Sequence, residues 1–422
     1  MEKVAHGYVR FVSALNIIKK FHISLAFPSF LCYNSDITYS IWRCIMEILK
    51  QGLVFRAVEG PFRYQAWPSI CQDENGVLYA AWSGLRSSHV CPFGKNLMSI
   101  SRDGGESWSC PTVINDSWLD DRDAGLTYLG DGKMALTYFC HPAEVYRTTW
   151  RNWILGDTEP EWKPLVDGFL QGYEHYTPEM DRAGSFIRLS DDYGKTWSEP
   201  IKSVVSAPHG VVKTNSGRLL YLGTEFNAHP SRYDKAFSTE GDDVPLEDQE
   251  RIFLYESFDE GKTWEKISKI DLDYLTAEYK KLCEPHIVEL PSGELIAAIR
   301  AENSEALSKF SLYFVSSTDG GKTWGKAWEF GRIGSPPHLL LRKDGSIVVT
   351  YGRRRAPDSI RASISYDGCR TFGEEFILCN ARNGDLGYPA TAELADGSLV
   401  TVHYQPFEQD LRTSIFFTKW RA

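Results

Sequence analysis

The chain has 422 residues, 42% of them hydrophobic and 13% aromatic, which is ample for a large core. Its net charge of −10 argues against nucleic acid or an anionic membrane as the main partner, but leaves room for a small anionic ligand held by a local arginine cluster. Nine cysteines without a Cys-x-x-Cys pair or metal-ligand spacing read as free thiols in a reducing compartment, which favours the cytoplasm over secretion.

Residues 1–45 stand apart. They mix apolar and basic residues and carry none of the repeats found later. They read either as a short helical appendage or as an upstream extension of a chain that starts at Met46. The apolar run Phe21–Cys32 contains His22 and Pro28, is too short to span a membrane, and is followed by no small-residue cleavage site.

From Phe55 onward, short β-rich runs follow a Gly turn at Gly76, Gly132, Gly217, Gly293, Gly345 and Gly397. Each is a hairpin signal. The first five are each followed by a second pattern, Ser-x-Asp-x-Gly-x-Ser/Thr-Trp, opening at Ser101, Ser190, Ser257, Ser317 and Ser365; the last has Phe372 in the Trp place. The Asp and Ser side chains can bond nearby backbone N–H groups, Gly supplies a left-handed backbone, and the Trp offers an apolar plate to a neighbour. Five copies mark a repeat architecture. Six hairpin pairs predict an all-β, six-bladed β-propeller over residues 46–422, with a strand near Leu53–Val58 completing the last blade. The Gly turns are about 52 to 56 residues apart except in two intervals, which predicts insertions at Pro142–Gly184, rich in Trp and Tyr, and at Glu225–Glu250, which is acidic. Insertions on a rigid repeat wall a binding face.

The boxes resemble those of the sialidase (neuraminidase) superfamily, and further matches lie in the second half. Glu284-Pro285 leads into a strand pair that ends at Arg300, Tyr351-Gly352 is followed by Arg353 and Arg354, and Tyr388-Pro389 precedes the last Gly turn. The resemblance implies Tyr388 as nucleophile, Glu284 as its base, and Arg300 with Arg353 or Arg354 as a clamp on the substrate carboxylate. Elementary chemistry agrees. A sialic acid carries a carboxylate beside its anomeric carbon, which guanidinium forks hold and a carboxylate nucleophile would repel. A neutral phenol avoids the repulsion but needs a base.

The first half departs from the family. The clamp arginine expected near the start is shifted to Arg63, and Trp67 stands close to its place. Arg86 is followed by the loop Ser87–Gly94, which holds His89 but no acid. The proton donor therefore falls to Asp121 or Asp123, which flank Arg122, with His89 as the other candidate. Arg122 would also make up for the shifted Arg63, and His209 and His286 would line the same mouth. The reading is an exo-acting retaining glycoside hydrolase that removes a terminal sialic acid or related acidic sugar, with a glycan as partner and no metal or organic cofactor. The alternatives are a two-carboxylate exo-glycosidase of exo-arabinanase type, with Glu284 and Asp121 or Asp123 as the pair, and a sugar-binding propeller without catalysis.

Overall fold

The computed structural model describes residues 46–226, 252–276, 278–279, 281–303 and 310–422. The first 45 residues and most of the Glu225–Glu250 insertion lie outside the described residues. Six antiparallel sheets succeed one another along the chain, five of them with a continuous four-strand path from inner to outer edge and one with its inner strand split in two. This is the six-bladed propeller read from the repeats. We number the blades I to VI from the strand Tyr64–Gln72 onward.

Blade VI closes the ring. Its inner strands Gly387–Glu393, Leu399–Pro406 and Thr413–Arg421 come from the end of the chain, and its outer strand, Glu47–Phe55, from the beginning. That pairing covers the outer edge of Thr413–Arg421 and makes Glu47–Phe55 the outer strand of the blade. The closing strand begins six residues before the predicted Leu53, because Glu47 and Ile48 already pair with Arg421 and Trp420.

Every Gly turn joins the first two strands of a blade, and every Ser-x-Asp box joins the last two. Both therefore crowd one face of the ring, while the loops between second and third strands and between blades occupy the other. In the box of blade III, Ser257 Oγ donates to Asp259 Oδ1 at 2.8 Å, Gly261 N donates to Ser257 Oγ at 2.9 Å, and Thr263 donates from N and Oγ1 to Asp259 at 2.9 and 2.7 Å. Gly261 needs its φ of +91° to make this turn; in blade V the same place is taken by Cys369 at φ +62°. The bonds from Thr263 hold the Asp259 carboxyl down at about 2. The aromatic plate then packs between blades, Trp197 into the cluster shared by blades I and II and Trp264 into that of II and III.

The Trp- and Tyr-rich insertion folds as three short helices, Ala143–Arg147, Arg151–Asp157 and Lys163–Gly172, on the loop face of blade II. Val166 and Leu170, one turn apart, bury one stripe against Ile154, Tyr146 and Trp150. Asp157 and Glu159 reach Arg412 and Arg63, so the insertion spans from blade II to blades I and VI. Among the described residues seven cysteines are free, four of them buried, and no helix is long and apolar enough to cross a membrane.

Candidate active site

Four inner strands share one local fault. In blades I, II, IV and VI the pairing with the second strand slips between Ala66 and Ser69, Arg122 and Gly125, Cys283 and His286, and Gly387 and Ala390. The first unpaired residues are Trp67, Asp123, Glu284 and Tyr388, all with left-handed backbones at φ 53°, 57°, 47° and 46°. Such a conformation costs about 1–2 kcal/mol in a residue with a Cβ. A bulge re-aims its side chain out of the sheet plane. Pro68, Pro285 and Pro389 follow three of the four, and a proline has no N–H to lose from the ladder there. Repeated around the ring, the bulge brings one indole, one phenol and two carboxyls to the hub on the loop face.

The phenol and one carboxylate meet directly. Tyr388 Oη donates to Glu284 Oε1 at 2.6 Å. Arg300 sits across both, with Nη1 on Glu284 Oε2 at 2.5 Å and on Tyr388 Oη at 3.3 Å, while its Nη2 binds Glu302 Oε2 at 2.8 Å. Arg354 lies over the Tyr388 ring at 5.3 Å, anchored by Leu386 O at 2.8 Å and Tyr404 Oη at 3.0 Å. The charges set the protonation states. Burial and the Glu284 charge push the Tyr388 hydroxyl well above its ordinary value, against Arg300 and Arg354. Burial would raise Glu284 too, but Arg300, Lys281 and the bonds from Tyr388 and Arg300 outweigh it and hold the carboxyl below its usual range. The pair is thus a neutral phenol on an ionised carboxylate.

Asp123 is the second carboxyl of the hub. Burial, then the neighbouring Glu284 charge, raise it to about 7, although Arg122 and Arg86 pull the other way. It is a carboxylic acid poised to be protonated near neutrality.

Trp67 organises the remaining cations. Arg86 and Arg122 lie over its ring at 4.6 and 4.3 Å from the centroid. Arg86 is fully buried and committed to Asp120, through a short contact from Nη1 and a bond from Nη2 at 3.0 Å. Asp120 also accepts from Tyr146 Oη of the helical insertion at 2.9 Å. Gly94 lies against the Arg86–Asp120 pair; a Cβ there would come within 2.1 Å of both side chains. Arg122 gives Nη1 to His89 O at 3.1 Å, and its Nη2 is uncommitted among the described residues, as is Nη1 of Arg354.

The other sequence-derived residues fall elsewhere. Arg63 spends all three nitrogens on Gly60 O, Asp410 and Glu159, at the edge of the helical insertion. Asp121 is fully buried, accepts from Ser117 and Cys140, and so fixes a loop rather than facing the hub. Arg353 ends its strand and Arg354 is the first residue beyond it; the two part there, and Arg353 lines a separate cleft of about 400 Å³ with Ser311, Arg332 and Glu375. His209 and His286 do not line the mouth. With His338 they form a buried ring cluster, His209 in the turn that splits the inner strand of blade III and the other two on the inner strands of blades IV and V, centroids 4.7 to 5.5 Å apart. Burial drives all three well below the ordinary histidine value, so they are neutral. No group of His, Cys, Asp or Glu among the described residues is arranged to hold a metal ion.

Sequence reading missed Glu302, Tyr404, Tyr64 and Asp385. Glu302 stands two residues after Arg300 on the same strand face, a spacing that announces it. Tyr64 and Asp385 meet across the chain ends, bonded at 3.0 Å, and no local pattern reveals that.

The profile of the BNR repeat-like domain family matches residues 173–402. A search of curated proteins finds no significant match. Solved structures share the fold at low identity. A protein of unknown function from Dyadobacter fermentans is 20% identical over 89% of this chain and 99% of its own, with a TM-score of 0.67. The NanB sialidase of Streptococcus pneumoniae is 13% identical over 88% of this chain and 70% of its own, TM-score 0.59. The intramolecular trans-sialidase of Ruminococcus gnavus is 17% identical over 87% and 96%, TM-score 0.56.

Proposed function

The chain belongs to the BNR repeat-like domain family and has a sialidase-like propeller, and from that premise we propose that residues 46–422 are an exo-acting, retaining glycoside hydrolase for a terminal sialic acid or related acidic sugar. The observation that carries this is the 2.6 Å bond from the Tyr388 phenol to Glu284 under the guanidiniums of Arg300 and Arg354. The substrate carboxylate docks against Arg354, Arg122 and Arg300, where charge-assisted forks hold it. Glu284 takes the phenol proton as Tyr388 Oη attacks the anomeric carbon. Asp123 gives its proton to the leaving oxygen, so no free alkoxide forms. Arg300 touches both members of the nucleophile pair and stabilises the charge that moves between them.

One observation favours a second reading. Glu284 raises Asp123 electrostatically, so the hub holds two carboxyls that feel one another, one ionised and one able to carry a proton, which is the set an inverting carboxylate pair uses. The stereochemistry of the first-formed product separates the two. We expect release of 4-methylumbelliferone from its α-sialoside with the α-anomer appearing first by NMR. The β-anomer first would move the assignment to an inverting carboxylate pair. Binding without release across aryl glycosides of acidic sugars would leave a lectin-like propeller.

A further inference from the structure

We infer that His89 is the base that activates the water resolving the glycosyl-Tyr388 intermediate, with Asp385 and Tyr64 as its positioning residues, a duty separate from proton donation by Asp123. The inference rests on the retaining reading above.

Three contacts fix the imidazole. Tyr64 Oη lies 3.0 Å from Asp385 Oδ1 and 2.7 Å from His89 Nδ1, and Nδ1 lies 3.3 Å from the same Asp385 oxygen. An ionised carboxylate only accepts, so the single phenolic proton of Tyr64 goes to Asp385. The 2.7 Å contact must then be made by N–H of Nδ1 donating to the phenol oxygen. The network thereby assigns the proton to Nδ1 and leaves the lone pair on Nε2.

The backbone is held as firmly. His89 O accepts from Arg86 Nη2 and Arg122 Nη1, both at 3.1 Å. The ring stands edge-on to Trp67 at 5.1 Å, and Trp67 stands edge-on to Tyr388 at 6.4 Å, so the histidine borders the hub. Its side chain is 38% exposed, which admits water. Burial lowers the imidazole most; Asp385 pulls it up, and Arg122 and Arg354 push it down, with the balance below the ordinary value. Asp385 itself would be raised by burial but is held down by His89, Tyr64 and Arg354. The ring is therefore unprotonated at neutrality, while Asp123, beside Glu284, is the group suited to start with a proton.

The steps balance. In the first, Tyr388 Oη bonds to the anomeric carbon, the glycosidic bond breaks, Glu284 gains the phenol proton and Asp123 loses its proton to the leaving oxygen. In the second, His89 Nε2 takes a proton from water, the hydroxide oxygen bonds to the anomeric carbon, and the bond to Tyr388 breaks. Glu284 returns its proton to the phenolate. Solvent then deprotonates His89 and reprotonates Asp123.

The test is stopped-flow turnover of 4-methylumbelliferyl α-sialoside by the full chain. Its leaving group needs little acid help, so the first step stays fast. His89→Ala should release one equivalent of fluorophore in a burst, then turn over about 10²-fold slower than wild type. Intact mass should show a sialyl adduct accumulating, and azide, which needs no base, should restore turnover and give sialyl azide. His89→Gln, which keeps a donor toward Tyr64, should behave alike and guards against collapse of the loop. Asp385→Asn should shift the acid limb of the kcat profile to lower pH, a movement that a merely structural role would not cause. A burst-free His89→Ala with wild-type turnover, or one slowed equally in both phases and unmoved by azide, would overturn the assignment and return both proton transfers to Asp123. If a 2,3-difluorinated sialic acid leaves no adduct on Tyr388 of the wild type, the retaining reading itself falls, and His89's duty with it; an adduct there without accumulation in His89→Ala sinks His89 alone.

Discussion

The two faces of the ring are built from repeats used in opposite ways. On the turn face, five boxes repeat the same bond between the opening Ser and the Asp two residues on, seen at Ser101–Asp103, Ser190–Asp192, Ser257–Asp259, Ser317–Asp319 and Ser365–Asp367. On the hub face, four bulges repeat the same left-handed backbone but present Trp67, Asp123, Glu284 and Tyr388. Where the repeated residue is constant, the device is architectural: a turn needs the same oxygens every time. Where the repeated backbone carries a different side chain in each copy, the device is a mount for chemistry. The comparison also explains the direction of the charge effects. Box aspartates are ionised at the protein surface and held low by local N–H and O–H donors, whereas the hub carboxyls are buried and governed by one another and by arginines.

Substitutions should divide along that line. The largest effect falls on the hub. Tyr388→Phe should cut kcat on the aryl sialoside by at least about 10³-fold while the melting temperature stays within a few degrees, since the ring is retained; turnover near wild type would remove the phenol from the reaction. Next comes Asp123→Asn, expected to lower kcat/KM about 10²- to 10⁴-fold on an alkyl-linked sugar and far less on the aryl glycoside. Asp123 acts in its protonated form, so the wild-type rate on the alkyl-linked substrate should fall as pH rises through about 7, and the variant's pH profile should lack that limb. Arg354→Met should raise KM ten- to a hundredfold, about 1.5–3 kcal/mol for a bond to a charged group, with little change in kcat; an unchanged KM would show that the carboxylate docks elsewhere.

The smallest effect belongs to the turn face. Asp259→Ala removes three acceptor contacts at an exposed turn and should lower the melting temperature by a few degrees, with kcat and KM unchanged. Because the folded Asp259 carboxyl sits at about 2, below its ordinary range, its contribution is complete at neutral pH and lost as pH falls from about 4 through about 2. Wild type and variant should therefore converge in stability under acid, and a gap that persists at pH 2 would contradict the assignment of the turn.

The ring was legible in the chain because a box encodes its turn within eight residues: Asp, Gly and Thr act on their own backbone. The Tyr388–Glu284–Arg300 group was anticipated through the family resemblance, which the flanking strand pairs and Gly turns located in the chain. What was not legible depends on packing between distant blades. Arg63 stands near the expected clamp position, yet Asp410 from blade VI and Glu159 from the insertion consume it. Trp67 is a plate for Arg86 and Arg122 only because blades I and II adjoin. Arg353 and Arg354 are neighbours of the same type, but the strand ends between them, and one goes to a cleft and the other to the hub. The helices of the insertion went unread because their aromatic content drew attention before the Val166 and Leu170 stripe did.

The central claim is that a phenol, and not a carboxylate, attacks the sugar. The most direct measurement is peptide mapping of the protein after reaction with a 2,3-difluorinated sialic acid, whose fluorines slow release of the covalent intermediate. The account places the adduct on Tyr388 alone and predicts that Tyr388→Phe abolishes it. An adduct on Glu284, or full inactivation with Tyr388 unmodified, would contradict it.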